Sequence, residues 1–175
     1  MSALATTRAR KPENSLVDDF KAAFRRLASG VCVVTFEKSG ELHGFTATSV
    51  TSISASPPML LFCVSNRSSS FASMAEGLEV GVSILSASQR PLAERFAKRA
   101  DGGGYPDVEI SRLDDGAPVL SGALAGVSGR VTRIASAGEN IVLFCEVGMA
   151  RHAPDGTPLL YGDGSYLAPQ PAAGV

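Results

Sequence analysis

Residues 31–65 read VCVVTFEKSGELHGFTATSVTSISASPPMLLFCVS, and this stretch decides the fold class. Its β-branched residues predict strands, Lys38-Ser39-Gly40 predicts a hairpin turn, and the Pro57-Pro58 pair ends the second extended stretch, 41–54. Residues 59–65 form a short apolar run that suits a strand buried on both sides. Strand follows strand with no helix between them, so the βαβ alternation of a parallel nucleotide-binding sheet is absent.

A helix is predicted ahead of these strands. Ser15 and Asp18 have the spacing of a capping pair, and Gly30 is placed to end the helix in a left-handed conformation. The apolar residues of this segment recur at steps of three and four, as on one helical face: Val17, Phe20, Phe24 and Leu27.

The rest of the chain predicts more strands with a few helices at the periphery. The sequence indicates a short helix at 71–76, a strand at 78–86 and a second helix at 88–100 with Pro91 in its first turn. A long hairpin follows, with strands at 123–134 and 141–150, and a last strand is predicted at 159–166. We therefore expect a mainly β protein, an antiparallel barrel with peripheral helices. One domain is expected over 15–169, with flexible tails at 1–14 and 170–175.

Composition narrows the class of protein. The chain has 175 residues, of which 45% are hydrophobic and 19% charged, and its net charge is −1, as in one folded domain without a dominant basic patch. This balance argues against a protein that binds nucleic acid or anionic membranes. Because no apolar run could span a bilayer and the N-terminus lacks the apolar core of a secretory signal, the expected location is the cytoplasm.

Cysteine and histidine usage predicts reduced thiols and no metal site. Cys32, Cys63 and Cys145 are widely spaced among apolar neighbours, which is typical of buried free cysteines. His43 and His152 stand alone, without a cluster of further ligands.

Common catalytic motifs are missing from the sequence. It contains no glycine-rich dinucleotide fingerprint, no phosphate-binding loop ending in Gly-Lys-Ser/Thr, and no Gly-x-Ser-x-Gly elbow. No close pair of carboxylates suggests glycosidase chemistry. The protein therefore either takes its chemistry from a cofactor or performs none.

Residues 44–54 form the first candidate ligand-binding segment. Small hydroxyl residues stand here where a barrel strand normally carries bulk, and small side chains let a flat ligand approach the backbone. The alternative is the polar outer face of an ordinary strand, because threonine has good β-propensity.

Residues 65–70 form the second candidate. Arg67 and its neighbouring serines precede a short helix, an arrangement that favours an anion site, although a solvated loop with a capping serine is the alternative. One predicted strand joins the two candidates, so a ring at one end and a phosphate at the other would suit a flavin mononucleotide.

Residues 94–99 form a third candidate segment. Either Arg95 or Lys98 contacts a second phosphate, or the segment is a solvated basic face.

The chain resembles the short-chain flavin reductases, which have an FMN-binding split barrel and serve oxygenases of the hydroxyphenylacetate, phenol and styrene type. The resemblance extends from about Phe20 to Tyr166. Its anchors, which are specific by their order and spacing, lie at 24–31, 44–54, 57–58, 65–70, 95–97, 116–120, 145–147 and 158–161.

This resemblance implies an NADH- or NADPH-dependent reductase of FMN or FAD, a homodimer whose flavin groove lies near the subunit interface, and a separate monooxygenase partner. The implied flavin contacts are Thr46, Ala47, Thr48, Ser49, Cys63, Val64, Ser65, Arg67, Ser69, Ser70, Arg95 and Phe96. The implied nicotinamide contacts are Gly30, Asn140 and Tyr166. Hydride passes between the two cofactors, so no residue is expected to act as a catalytic acid or base.

Three positions depart from the family pattern. Gly138-Glu139-Asn140 replaces a common Gly-Asp-His, which changes a residue expected near the nicotinamide. Gly126 and Gly129 stand where relatives have Trp and Cys, which is expected to open space near the barrel. Residues 162–165 lack a frequent arginine, which bears on the choice between NADH and NADPH.

Two other functions fit the same resemblance. One is a flavin-dependent oxidase that acts on a small substrate, and the other is a non-catalytic flavin-binding module. We expect flavin to exchange as a substrate, because a groove of Thr, Ser and Ala offers few large aromatic surfaces and the chain has no Trp and only 8 Phe and 3 Tyr.

Overall fold

The structure is a computed structural model that describes residues 13–98 and 104–169. Within these residues there are two α-helices, α1 (Glu13–Phe24) and α2 (Arg90–Ala97), and two 3₁₀ turns, Phe71–Ser73 and Ala87–Gln89. The strands are β1 (Ser29–Gly30), β2 (Cys32–Lys38), β3 (Glu41–Ala47), β4 (Thr51–Ala55), β5 (Pro58–Ser65), β6 (Glu79–Ile84), β7 (Ile110–Arg112), β8 (Pro118–Leu120), β9 (Ala125–Ala137), β10 (Asn140–His152), β11 (Leu160–Gly162) and β12 (Ser165–Leu167). The fold is mainly β, as predicted.

Seven strands form one antiparallel sheet in the order β3-β2-β6-β9-β10-β5-β4. β3 and β4 follow each other in the chain but lie at opposite edges of this sheet, and only residues 48–50 connect them. In a flat sheet, six strand spacings would hold these edges about 28 Å apart. A connection of this length spans at most about 14 Å. The sheet must therefore curl until β3 and β4 approach each other, which produces a barrel that is split along one seam.

The predicted first helix is wrong at both ends. α1 includes Glu13, so Ser15 lies inside the helix and does not cap it with Asp18. α1 stops at Phe24, and Gly30 lies in β1, where it pairs with Leu160 and has no left-handed φ. The physical reason is that the β11–β12 region supplies the hydrogen bonds: Asp163 N–H donates to the Arg25 carbonyl, and Val31 N–H donates to the Leu159 carbonyl.

Several other predicted elements need correction. Residues 41–54 form two strands instead of one, and β5 alternates between buried and half-buried residues instead of being buried on both sides. The predicted last strand, 159–166, is a hairpin of β11 and β12 that turns at Asp163-Gly164, both of which have positive φ. The long hairpin of β9 and β10 is confirmed.

Two buried clusters hold the barrel and its periphery together. The barrel interior is filled from alternating positions of β2, β5, β6 and β10, among them Phe36, Phe62, Val82 and Leu143. The second cluster packs α2 against β2 and the start of β11, through Val33, Leu85, Phe96 and Leu159.

The three cysteines are free, as predicted. Burial raises the pKa of the Cys32 thiol to about 11 and that of the Cys145 thiol to about 12. Both thiols therefore stay protonated at neutral pH and serve as small apolar core groups. Cys63 is only half-buried and lies on β5.

The expectation that Gly126 and Gly129 open space near the barrel is wrong. A Cβ on Gly126 would lie 3.0 Å from Val119 Cγ2, and one on Gly129 would lie 3.1 Å from Cys145 Cβ. Side chains of β8 and β10 thus fill the volume that larger residues would occupy on β9. Among the described residues, no helix is both long and apolar enough to cross a bilayer.

Candidate functional site

A cavity of about 800 Å³ opens at the seam of the barrel, within the roughly 300–1,000 Å³ that is usual for small-molecule sites. It is bordered by the end of β3, the connection 48–50, the end of β5, the loop 65–70 and the end of α2. Most of the sequence-predicted site residues line it: Thr46, Ala47, Thr48, Ser49, Cys63, Val64, Ser65, Arg67, Ser69, Phe96 and Asn140.

The hydroxyl groups on the β3 side mostly bind within the protein. Thr46 Oγ1 donates to the Ala93 carbonyl at 2.6 Å, which ties β3 to α2. Ser49 Oγ accepts from the Cys63 N–H at 3.0 Å, which ties the two sides of the seam together. Thr48 is exposed, and its hydroxyl has no hydrogen-bond partner among the residues that the structure describes. This wall therefore offers backbone, small side chains and one hydroxyl, instead of the row of free hydroxyls that the sequence suggested.

Serine side chains shape the loop 65–70. The Arg67 N–H donates to Ser65 Oγ and the Ser70 N–H donates to Ser68 Oγ, each at 3.2 Å. The Ser69 N–H has no acceptor among the described residues, and Ser69 is exposed at the cavity wall. Ser70 lies beneath the loop with 6% of its surface exposed, so the structure does not bring it to the cavity.

Two cationic side chains line the cavity from different elements. Arg67 Nη2 lies 3.1 Å from Glu139 Oε1, and both of these side chains are exposed. Lys98 follows the end of α2 and is exposed, with no acidic partner within the described residues. Asn140 lines the cavity beside this loop because it pairs with Ser65 across the β5–β10 ladder. The cavity thus combines a polar, cationic end with a wall of small side chains.

Arg95 lies outside the cavity. Its guanidinium binds Asp107, with Nη1 at 3.0 Å from Oδ2, and stands 5.6 Å from the ring centroid of Tyr105. The hydrogen bond from Arg95 lowers the pKa of Asp107 and raises that of the guanidinium itself. The side chain is therefore held against residues 105–107, away from the lining of the seam.

The structure does not bring Gly30 and Tyr166 to this cavity either. Gly30 is in β1, and the Tyr166 ring packs edge-on against Tyr161 with centroids 5.3 Å apart. A second cavity of about 580 Å³ adjoins the first and is bordered by α1 and the β11–β12 hairpin. The two cavities share Phe20, Phe24, Thr48 and Ser49.

Comparison with known proteins identifies the family. The profile of the family described as "Flavin reductase like domain" matches residues 24–169. This chain is a member of the flavin reductase-like family.

Relatives of this flavin reductase-like chain include an NADH:FMN oxidoreductase of Rhodococcus erythropolis, 33% identical over 157 residues that cover 87% of this chain and 82% of that protein. The solved NADH:FAD oxidoreductase SgcE6 of Streptomyces globisporus C-1027 is 29% identical with a TM-score of 0.84, and the match covers 95% of this chain and 100% of that one. The styrene monooxygenase flavin reductase of Pseudomonas putida S12 is 28% identical with a TM-score of 0.77, and the match covers 87% of this chain and 99% of that one.

The sequence analysis missed Phe20 and Phe24, which lie outside its three candidate segments. Five further cavity residues lie within those segments but were not among the implied flavin contacts: Gly44, Phe45, Ser68, Ala97 and Lys98. The helical spacing of Phe20 and Phe24 predicted only that they share one face of a helix; in the structure these residues are 57% and 58% exposed. The sequence left open whether Arg95 or Lys98 contacts a second phosphate. In the structure Lys98, which follows the end of α2, borders the cavity, and Arg95 does not.

The lining of the flavin reductase-like site fits a flavin. The half-buried Phe45 offers apolar surface to a planar ring, and the backbone of β3 borders it. Ala47 and Val64 also line the cavity but expose only 5% and 2% of their surface. The free N–H of Ser69 and the cations Arg67 and Lys98 suit a phosphate. Both kinds of surface lie in one cavity, as a ring carrying a phosphorylated side chain requires.

Proposed function

We propose that this protein is an NAD(P)H:flavin oxidoreductase that binds FMN or FAD at the barrel seam. One observation carries the proposal: in a member of the flavin reductase-like family, the seam cavity is lined both by small residues of β3 and by the loop that carries Arg67 and Ser69. When bound, the flavin accepts a hydride from NADH or NADPH.

The residues of the chain bind and orient in this proposal, and none acts as a catalytic acid or base. The backbone of residues 46–49, with the Thr48 hydroxyl, borders the ring, and Cys63, Val64 and Phe96 complete its wall. Arg67 and Ser69 hold the phosphate, with Lys98 as a second cation. The Thr46–Ala93 and Ser49–Cys63 hydrogen bonds keep these walls in place without contacting the ligand.

We propose that the nicotinamide enters beside the flavin, because the second cavity shares Thr48 and Ser49 with the first. Rings that stack at this shared wall would be held at reacting distance. Asn140 stays a proposed nicotinamide contact on the strength of the family resemblance; it lines the first cavity beside the loop 65–70, and it does not line the second. Gly30 and Tyr166 stay predictions that neither cavity supports.

A partner monooxygenase is the proposed consumer of the reduced flavin. The Pseudomonas putida S12 relative is named as the flavin reductase of a styrene monooxygenase, and BorF as the flavin reductase component of a two-component tryptophan halogenase. A cytoplasmic location and a homodimer belong to the same proposal.

The deciding experiment follows the absorbance of NADH and NADPH with purified protein freed of flavin. We expect oxidation only after FMN, FAD or riboflavin is added. Equal turnover with and without added flavin would contradict the proposal. Flavin binding with no NAD(P)H oxidation would favour the non-catalytic module, and oxidation of another small substrate without nicotinamide would favour the oxidase.

A further inference from the structure

The ion pair between Arg67 and Glu139 joins the proposed phosphate loop to the turn between β9 and β10. Its two charged atoms lie 3.1 Å apart, and the side chains are 77% and 71% exposed. Arg67 lines the seam cavity, whereas Glu139 does not. The carboxylate therefore holds the guanidinium from outside the site.

The backbone fixes Glu139 in this position. The turn has two residues, Gly138 and Glu139, and Gly138 adopts a left-handed φ of 61°. The Asn66 N–H donates to the Glu139 carbonyl at 2.9 Å, and Asn140 pairs with Ser65 in the adjoining ladder. Turn and loop are thus bonded through their backbones on both sides of the ion pair, which keeps the Glu139 side chain within reach of Arg67.

The geometry of arginine lets both anions bind at once. A guanidinium has five N–H donors, so a phosphate inside the cavity does not need to displace a carboxylate outside it. The phosphate then meets a cation whose charge is already balanced, and it is repelled by the carboxylate itself. A phosphate monoester concentrates about −1.5 to −2 on one group at neutral pH. A diphosphate diester spreads a similar total over two groups, about −1 on each, so less charge lies close to the carboxylate and the repulsion is weaker.

We propose that Glu139 is a specificity-determining residue, which disfavours the doubly charged monoester of FMN relative to the diphosphate of FAD. The inference rests on the proposed flavin site. Lys98 borders the same cavity without an acidic partner among the described residues, so it attracts either phosphate with its full charge. Glu139 is thereby the group that makes the affinities for FMN and FAD differ.

The test is Glu139→Gln in the full-length protein, with dissociation constants for FMN, FAD and riboflavin measured by fluorescence titration at low salt. We expect FMN to bind about threefold to tenfold more tightly, FAD to gain less, and riboflavin to change less than about twofold. The FMN gain should shrink in high salt. Glu79→Gln is the matched control, since Glu79 forms an exposed ion pair with Arg130 at 2.8 Å on another part of the surface.

Each other outcome overturns the inference. Equal shifts for all three flavins would make Glu139 a structural residue, and weaker FMN binding would mean that it orients Arg67 favourably. An unchanged ratio of FMN to riboflavin affinity, in a wild-type protein that binds flavin and oxidises NAD(P)H, defeats this inference and leaves the proposed function standing. A wild-type protein that binds none of the three flavins defeats both.

Discussion

At the scale of single residues, the site separates groups that build its walls from groups that are free for a ligand. Thr46 and Ser49 are bonded to the Ala93 carbonyl and the Cys63 backbone. Thr48 and the Ser69 N–H are free and face the cavity among the described residues. Residue type alone does not separate these groups, because all are hydroxyl residues in polar stretches.

Loss of the phosphate contacts is expected to affect only phosphorylated flavins. Arg67→Ala should weaken FMN binding by about 1 kcal/mol, the lower end of the range for a charge-assisted hydrogen bond because Arg67 is exposed. Ser69→Ala removes the hydroxyl but keeps the backbone N–H, so it should cost less than Arg67→Ala. Riboflavin, which has no phosphate, should bind nearly as before. Calorimetric titration measures both, and Arg130→Ala provides a matched loss of an exposed, ion-paired arginine. Equal losses for riboflavin and FMN would contradict the phosphate assignment.

Asn140→His tests the nicotinamide contact. The substitution places the commoner family residue at the cavity lining, and we expect the KM for nicotinamide or kcat to change while flavin affinity stays within about twofold. Steady-state kinetics at saturating flavin measure this, with Asn66→His as control because Asn66 contacts the turn through its backbone N–H. A tenfold shift in flavin dissociation constant with unchanged nicotinamide kinetics would place Asn140 at the phosphate instead.

At the scale of elements, the position of β8 is fixed by the close approach of its backbone to that of β6. A Cβ built on Gly81 of β6 would lie 1.8 Å from the Pro118 carbonyl oxygen of β8. Thr35 Oγ1 donates to this same oxygen at 2.6 Å and also lies 3.2 Å from the Gly81 carbonyl. β8 thus packs directly on the backbone of β6, where only glycine fits.

Gly81→Ala is therefore expected to destabilise the protein. Separation of β6 and β8 should cost about 1–3 kcal/mol or more in the free energy of unfolding, as for other overpacked interiors. Denaturant unfolding followed by circular dichroism measures it. Gly30→Ala is the control, since a Cβ there meets nothing within 4 Å. Equal stability of the two variants would show that β8 moves away at little cost.

The sequence predicts the elements well where one local signal dominates and poorly where distant partners decide. Alternating residues and turn glycines predict β2, β3 and the β9–β10 hairpin. The end of α1 is missed because Leu159 and Asp163, 128 and 138 residues further along the chain than their partners Val31 and Arg25, form hydrogen bonds with this segment. For the same reason the sequence wrongly assigned Arg95 to the flavin site: its ion pair with Asp107 forms only in the folded protein and is not signalled by any local pattern.

At the scale of the whole molecule, apolar surface remains uncovered in the single chain. Leu16, Val17, Phe20, Phe24 and Leu27 are 44% to 61% exposed on and after α1. On the outward side of β5 and β10, Leu61, Cys63, Val142 and Phe144 are only half-buried. These surfaces support the homodimer that the resemblance implies, because a two-fold partner covers such surface on both copies at once.

Light scattering coupled to gel filtration is expected to give twice the chain mass of 18.1 kDa at micromolar concentration. Phe20→Ser combined with Leu16→Ser should weaken this dimer, because both side chains are more than half exposed in the single chain. A monomer for the unaltered protein would refute the dimer and the placement of the groove near an interface.

Flavin is expected to behave as an exchangeable substrate. The sequence argument that few aromatic rings line the groove is wrong, since Phe20, Phe24, Phe45 and Phe96 all do. Their disposition still favours release, because Phe20 and Phe24 are more than half exposed and Phe96 is 2% exposed within the second core cluster. Dialysis should remove most of the yellow colour, and activity should return saturably with FMN or FAD. Full retention of flavin, with turnover insensitive to added flavin, would contradict diffusible transfer.

The seam between β3 and β4 also governs how the molecule opens. Within the described residues, the edge strands β3 and β4 have no ladder between them, and the proposed ligand site and the Ser49–Cys63 contacts lie where they meet. Local opening should begin there, so the amides of 46–49 would exchange with deuterium sooner than those of the β9–β10 ladder. A flavin that touches both edges would slow this exchange in proportion to its occupancy, because it binds the closed barrel and not the open one. In such a protein the bound substrate also holds the two edges of the barrel together.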